Sequence, residues 1–146
     1  MAIDYAALKT EIQTDPAALG YQSSVTAKND QGIADLINTV RNGATFQVNR
    51  EPVTVAQFIA KIDPAEFSAL TQLQVSRLQA LFSGGTLDIN EPNTQSNMTK
   101  IFPAAGATVA NVTPFLKRQG SRAEVLFGNG TVVTSSDVSL ALRGAK

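Results

Sequence analysis

Ile62-Asp63-Pro64-Ala65-Glu66-Phe67-Ser68-Ala69-Leu70-Thr71-Gln72-Leu73-Gln74-Val75 is the stretch that decides the fold class. Asp63 reads as a helix N-cap. Pro64 is the first helical residue, where its missing N–H would have had no helical partner. Glu66, three places after the cap, completes a capping box, and Ile62 and Phe67 flank it as a hydrophobic staple. Thr71 and Gln74 repeat the box almost at once, with Leu70 and Val75 as the staple. Val75, Leu78, Leu81 and Phe82 then recur at helical spacing until Gly84-Gly85.

Upstream, Thr54 and Gln57 form a third box, stapled by Val53 and Phe58, with Phe58, Ile59 and Ile62 directed inward. Ile33, Leu36, Ile37 and Val40 mark one face of a helix over 30–41, which Asn42-Gly43 stops. Tyr5, Leu8 and Ile12 mark another over 4–14, ended by Asp15-Pro16 because the residue before proline is pushed out of the α region. Gly20-Tyr21 reads as a turn. Downstream, 88–93 is a polar loop, and a helix over 94–102 buries Met98, Ile101 and Phe102. Thr108 caps a helix that carries Val109, Val112, Phe115 and Leu116 on one face; Pro114 either kinks it or restarts it behind Thr113. Ser121 and Glu124 make a fourth box ahead of Val125, Leu126 and Phe127, closed by Gly128-Asn129-Gly130. Thr134 or Ser135 caps a last helix through Val138, Ala141 and Leu142.

Segments 45–49 and 131–133 have β-favouring character and are expected to pair as one small two-stranded ribbon. The expectation is a mainly α chain of seven to eight short helices in a compact bundle, a single helical domain over 1–146. No heptad persists far enough for a coiled coil.

Composition fits a globular domain: 146 residues, 43% hydrophobic and 16% charged. The charged share lies below the roughly 25% of ordinary domains, and Ser, Thr, Asn and Gln fill surface positions instead. Such a neutral polar surface suits a chain packed into an assembly. Twelve basic and twelve acidic residues cancel, which argues against a nucleic-acid binder relying on bulk phosphate attraction. Lys117, Arg118, Arg122, Arg143 and Lys146 are the nearest thing to a basic patch, and helix-dipole complementation explains them equally. No apolar run reaches the roughly 20 residues that span a bilayer. Met1-Ala2-Ile3-Asp4 lacks the basic and apolar regions of a signal peptide, so cytoplasmic assembly is expected.

Catalytic chemistry finds little to build on. The chain has neither Cys nor His, which removes thiolate chemistry, the commonest general base and the commonest metal ligand. Asp88, Asn90 and Pro92 fail the third ligand place of a calcium loop. Gly84-Gly85 lacks the Lys-Ser or Lys-Thr of a P-loop, and Gly128-Asn129-Gly130-Thr131 precedes an extended segment rather than a helix. Asp63, Glu66 and Glu124 are already explained as capping residues, and Lys28 near Ser24 lies in an ordinary polar stretch. Gln72, Gln74, Arg77 and Gln79 are the best set for a DNA-reading helix, yet nearby acids favour a solvated face. The chain therefore reads as a non-enzyme with no catalytic residue, no cofactor, no metal and no small-molecule substrate.

Ala7-Leu8-Lys9-Thr10-Glu11-Ile12, Thr14-Asp15-Pro16 and Leu19-Gly20-Tyr21 resemble the start of a group of small proteins encoded among tailed-bacteriophage virion genes. Gly120-Ser121-Arg122-Ala123-Glu124, Leu126-Phe127-Gly128, Gly130-Thr131, Asp137-Val138 and Ala141-Leu142-Arg143 resemble their ending. The segment from Ile62 to Phe67 sits between, as in such proteins. The resemblance follows most of the chain in order, but through caps and turns rather than chemistry, and the group has no established site to carry over. It implies a virion structural or accessory protein, repeated around a tail, baseplate or head–tail neck. Its partners would be other virion proteins and copies of itself, with no membrane. The alternative is a non-virion phage protein that binds a host factor or nucleic acid.

Overall fold

Residues 2–144 are described by a computed structural model. In chain order they form α1 (Tyr5–Thr14), α2 (Tyr21–Thr26), α3 (Asp30–Asn38), a 3-10 turn (Ala44–Phe46), β1 (Gln47–Asn49), β2 (Val53–Thr54), α4 (Val55–Ile59) and α5 (Pro64–Ser68). There follow α6 (Gln72–Phe82), β3 (Thr86–Leu87), α7 (Pro92–Ile101), α8 (Ala107–Phe115), β4 (Lys117–Gln119), α9 (Arg122–Phe127) and α10 (Ser135–Arg143). The chain is mainly α, with ten α-helices among the described residues.

The caps place the helices. Thr54/Gln57, Thr71/Gln74 and Ser121/Glu124 are closed in both directions, the N-cap hydroxyl accepting from the third residue and that residue's side chain accepting from the N-cap N–H. Thr134 and Asp137 close a further box at α10. The Asp63 box is only half made. Asp63 Oδ2 accepts the Glu66 N–H at 3.0 Å, but the Glu66 carboxylate goes elsewhere. Helices this short are marginal in water, so tertiary burial holds them.

The chain divides into two compact units, Met1–Val48 with Gln119–Lys146, and Asn49–Arg118. In the first, α10 packs on α1 and α3, and α3 packs on α2 and α9. Leu8, Ile12, Tyr21, Ile33, Ile37 and Val138 form its core. Within that core lies Glu11, 3% exposed, whose carboxylate is held by Arg122 and by the Tyr21 hydroxyl. Asn38 pins Val133 from both sides, donating to its carbonyl at 2.7 Å and accepting its N–H at 2.9 Å.

In the second unit, β2 and β3 pair antiparallel with Val53 opposite Leu87. Val53, Phe58, Leu87 and Ile89 form one apolar cluster, and Leu78, Ile101 and Phe102 form another. Phe58 and Phe82 meet edge to face, with centroids 6.0 Å apart, the favoured aromatic arrangement.

Several expectations are corrected. Segment 131–133 forms no strand, because Asn38 takes up the Val133 backbone; β1 instead pairs with β4. The α3 helix stops at Asn38, short of Asn42-Gly43, and Val40 leaves the helix to bridge Ser121 and is 61% exposed. Tyr21 opens a helix where a turn was read, behind Gly20 in the left-handed region. Pro92 starts α7 at its first turn, with Glu91 as cap, inside the segment read as loop. Thr108 is not the cap of α8, since Gly106 occupies that place, and α8 runs through Pro114 without restarting.

Candidate interaction surface

The sequence-level site candidates are dispersed by the structure into local roles. Arg118 pairs with Glu51, Lys117 donates to Asn49 Oδ1, Arg122 pairs with Glu11 and Arg143 with Asp30. Lys146, like Met1, lies outside the described residues. In the Asp88 loop, Asp88 Oδ1 accepts the Asn90 N–H at 3.1 Å and Glu91 Oε2 accepts the Thr94 N–H at 2.9 Å, so its oxygens serve a turn and a cap. Among the described residues no three Asp or Glu gather as a metal site would require. No helix of the described residues is long and apolar enough to cross a membrane. Gln74, from the DNA-reading set, is spent on its box and on donating to the Lys100 and Ile101 carbonyls.

Asp63 and Glu66, the closest approach to a carboxylate pair, lock two helices. The Asp63 N–H donates to the buried Thr108 hydroxyl at 3.0 Å, and Glu66 Oε1 accepts the Thr108 N–H at 2.6 Å. Glu66 thereby supplies the acceptor that the α8 N-terminus would otherwise lack, because its N-cap Gly106 has no side chain. A Cβ on Gly106 would stand 1.9 Å from Glu66 Oε2, so glycine is what leaves the seat open. Hydrogen bonds from the Thr108 side chain and backbone outweigh the opposing effect of burial, with a smaller contribution from the Ala107 backbone. They hold the Glu66 carboxyl below its ordinary pKa. So held, the carboxyl is ionised at neutral pH and lacks the proton that a general acid must donate.

What the second unit does present is apolar. Ile59 and Ile62, Phe67 on α5, and Val75, Leu78 and Phe82 on α6 line an open groove of about 530 Å³. Ser68 and Gln79 are its polar lining residues, and no charged side chain lines it. Ile59 is 50% and Phe67 46% exposed. Ile59 was read from the sequence as inward-facing and Phe67 as the staple partner of Ile62. Ile59 directly follows Phe58, about 100° further round the helix; Phe58 is fully buried and Ile59 lies half-exposed. Phe67 and Ile62 both line the groove, and Phe67 is 46% exposed. Leu73, also exposed, lies two residues before Val75, which at 3.6 residues per turn puts it on the far side of α6.

A second, smaller cleft of about 210 Å³ lies between α7 and α8, with Phe58, Met98, Phe102, Val109, Val112 and Leu116 among its walls. It is smaller than the roughly 300–1,000 Å³ of ligand pockets. Beside it, Phe115 carries Arg50 over its ring at 4.4 Å and Lys61 at 4.9 Å. Arg50 also donates to the Phe115 and Lys117 carbonyls, so it acts as a brace for the turn after α8.

Comparison with models of protein families, with curated proteins and with solved structures finds no match to this chain.

Proposed function

We propose that this chain is a bacteriophage virion structural or accessory subunit, repeated by symmetry in the tail, baseplate or neck and acting through protein–protein contacts. The observation that carries the reading is the apolar groove between α5 and α6, with half-exposed Ile59 and Phe67 on its wall. Contiguous exposed apolar surface marks interaction sites in soluble proteins. The groove brings neither an ionisable pair nor a charged clamp, so it is suited to contact rather than conversion. The pairing of the basic residues within the chain supports the same reading, because it draws Arg118, Arg122 and Arg143 onto internal carboxylates.

The partners are then other virion proteins and further copies of this chain, joined in the virion after assembly in the host cytoplasm. A heterologous contact repeated by a rotation that closes generates a ring of such subunits. Quantitative mass spectrometry of purified particles tests the proposal. The chain is expected at a copy number that is a multiple of the tail or neck symmetry, and its absence from intact particles overturns the reading.

A further inference from the structure

Asparagine precedes glycine twice in the chain, at Asn42-Gly43 and at Asn129-Gly130. The structure sets the two pairs in opposite circumstances. Asn42 lies exposed between the end of α3 and the 3-10 turn, and its side chain has no hydrogen-bond partner among the described residues. Gly43 has φ +116° with open space where a Cβ would stand, and its N–H has no acceptor among the described residues. At the second pair, the Gly130 N–H donates to Glu124 Oε2 at 2.8 Å, and Asn129 is half-buried.

This difference matters for one reaction of the asparagine side chain. The backbone nitrogen of the next residue can attack Cγ, and glycine, without a Cβ, leaves that approach open. The Gly43 N–Cγ bond forms, the Cγ–Nδ2 bond breaks, and ammonia leaves carrying the proton lost by the Gly43 nitrogen. Water then opens the cyclic imide. Attack at Cγ gives aspartate, and attack at the backbone carbonyl gives isoaspartate, with the main chain rerouted through Cγ. No electron is gained or lost. The attacking nitrogen must first give up its proton, and a carboxylate bonded to that N–H retains it.

We propose that Asn42 is a site of spontaneous deamidation in the folded protein, and that Glu124 protects Asn129 from the same reaction. Deamidation takes the formal net charge from zero to one negative, and places a carboxylate directly after Arg41. In the isoaspartate form a methylene is added to the backbone next to the place where the Arg41 N–H donates to the Gly120 carbonyl at 3.1 Å. The inference rests on these two dipeptides alone and stands apart from any role in a virion.

Ageing the folded full-length chain in warm, mildly alkaline buffer tests it, with peptide mass mapping to locate NH2-to-OH conversion and isoaspartyl methyltransferase labelling to score isoaspartate. One hydrogen bond to a charged acceptor should separate the two rates by about tenfold or more, Asn42 being the faster. Glu124→Gln should raise the Asn129 rate and leave Asn42 unchanged, and strong denaturant should bring the two rates together. Equal rates in the folded chain overturn the proposal. So does an Asn42 that persists in the folded chain over a time in which the denatured chain converts.

Discussion

Arg122 grips Glu11 through both carboxylate oxygens, Nε to Oε1 at 2.8 Å and Nη2 to Oε2 at 2.9 Å, across 111 residues of sequence. The Tyr21 hydroxyl donates to Oε1 at 3.2 Å, so one buried carboxylate ties together α1, α2 and α9. Such two-point guanidinium–carboxylate pairs are directional as well as strong.

Breaking that pair from one side should be costly. Arg122→Ala leaves a buried, unpaired charge on Glu11, and a loss of about 3 kcal/mol in urea unfolding is expected. Replacing both partners by apolar residues, Glu11→Leu with Arg122→Met, should recover most of it, because no charge is then left without a partner. A double variant as unstable as the single one would show that the pair contributes more than its geometry implies.

Alkali should find Tyr21. Burial first, then the nearby Glu11 charge and the hydrogen bond to it, push the Tyr21 phenol well above its ordinary value. In the unfolded chain the phenol loses its proton near pH 10, whereas in the folded chain it keeps it. Stability therefore falls as pH rises above about 10, since the folded state is then the one binding more protons. Tyr21→Phe is expected to flatten that alkaline limb, while giving up about 0.5–1.5 kcal/mol at neutral pH for the lost hydrogen bond. Thermal unfolding as a function of pH measures both.

Acid should find Glu66 by the opposite sign. Its folded pKa is depressed, so its contribution is complete above the unfolded value of about 4.3 and is lost as pH falls through the folded value. Glu66→Gln should reduce the acid dependence of stability. Gly106→Ala should do the same by displacing the carboxylate from its seat. Thr108→Val, which leaves the Asp63 N–H without an acceptor, is expected to cost about 1–3 kcal/mol at neutral pH.

Polar replacement on the groove should change association more than folding. Ile59 and Phe67 are half-exposed, so Ile59→Ser and Phe67→Ser each forfeit only part of a full side-chain burial, about 1 kcal/mol or less. Under the proposed virion role, co-sedimentation with neighbouring virion proteins, or incorporation into particles, should drop sharply in the double variant while circular dichroism is unchanged. Unchanged incorporation would remove the groove from the assembly contact.

Helix starts were legible because an N-cap and its third residue are neighbours in sequence: Thr54, Thr71 and Ser121 declare themselves within three positions. The α2 start carries no such sign, since Gly20 caps it without a side chain. Strands were the weakest reading for the same reason reversed. Thr86-Leu87 is extended because Val53-Thr54 lies opposite, and β4 was read only as part of a basic cluster. The Glu66 carboxylate and the Glu11–Arg122 pair were likewise hidden, as each depends on a residue brought close by folding. Of the candidate surface, Ile62, Val75, Leu78 and Phe82 were recognised as apolar faces, but not that a trough opens among them. Helical spacing gives the direction of a side chain and not whether a neighbour fills the space beyond it.

The first unit is built from the two ends of the chain, with Asn49–Arg118 lying between them in sequence. A ribosome releases α1, α2 and α3 well before α10, which packs on α1 and α3. The faces of α1 and α3 that α10 covers must therefore wait, exposed, until α10 has been made. The intervening segment has all its partners as soon as it emerges and can fold first. Closing so long a loop adds only a slowly growing entropic cost, so the delay weighs on the time course of folding more than on final stability. Truncation just before α9 would leave Asn49–Arg118 whole and still deprive α1 and α3 of the Ala123, Val133, Val138 and Ala141 side of their core.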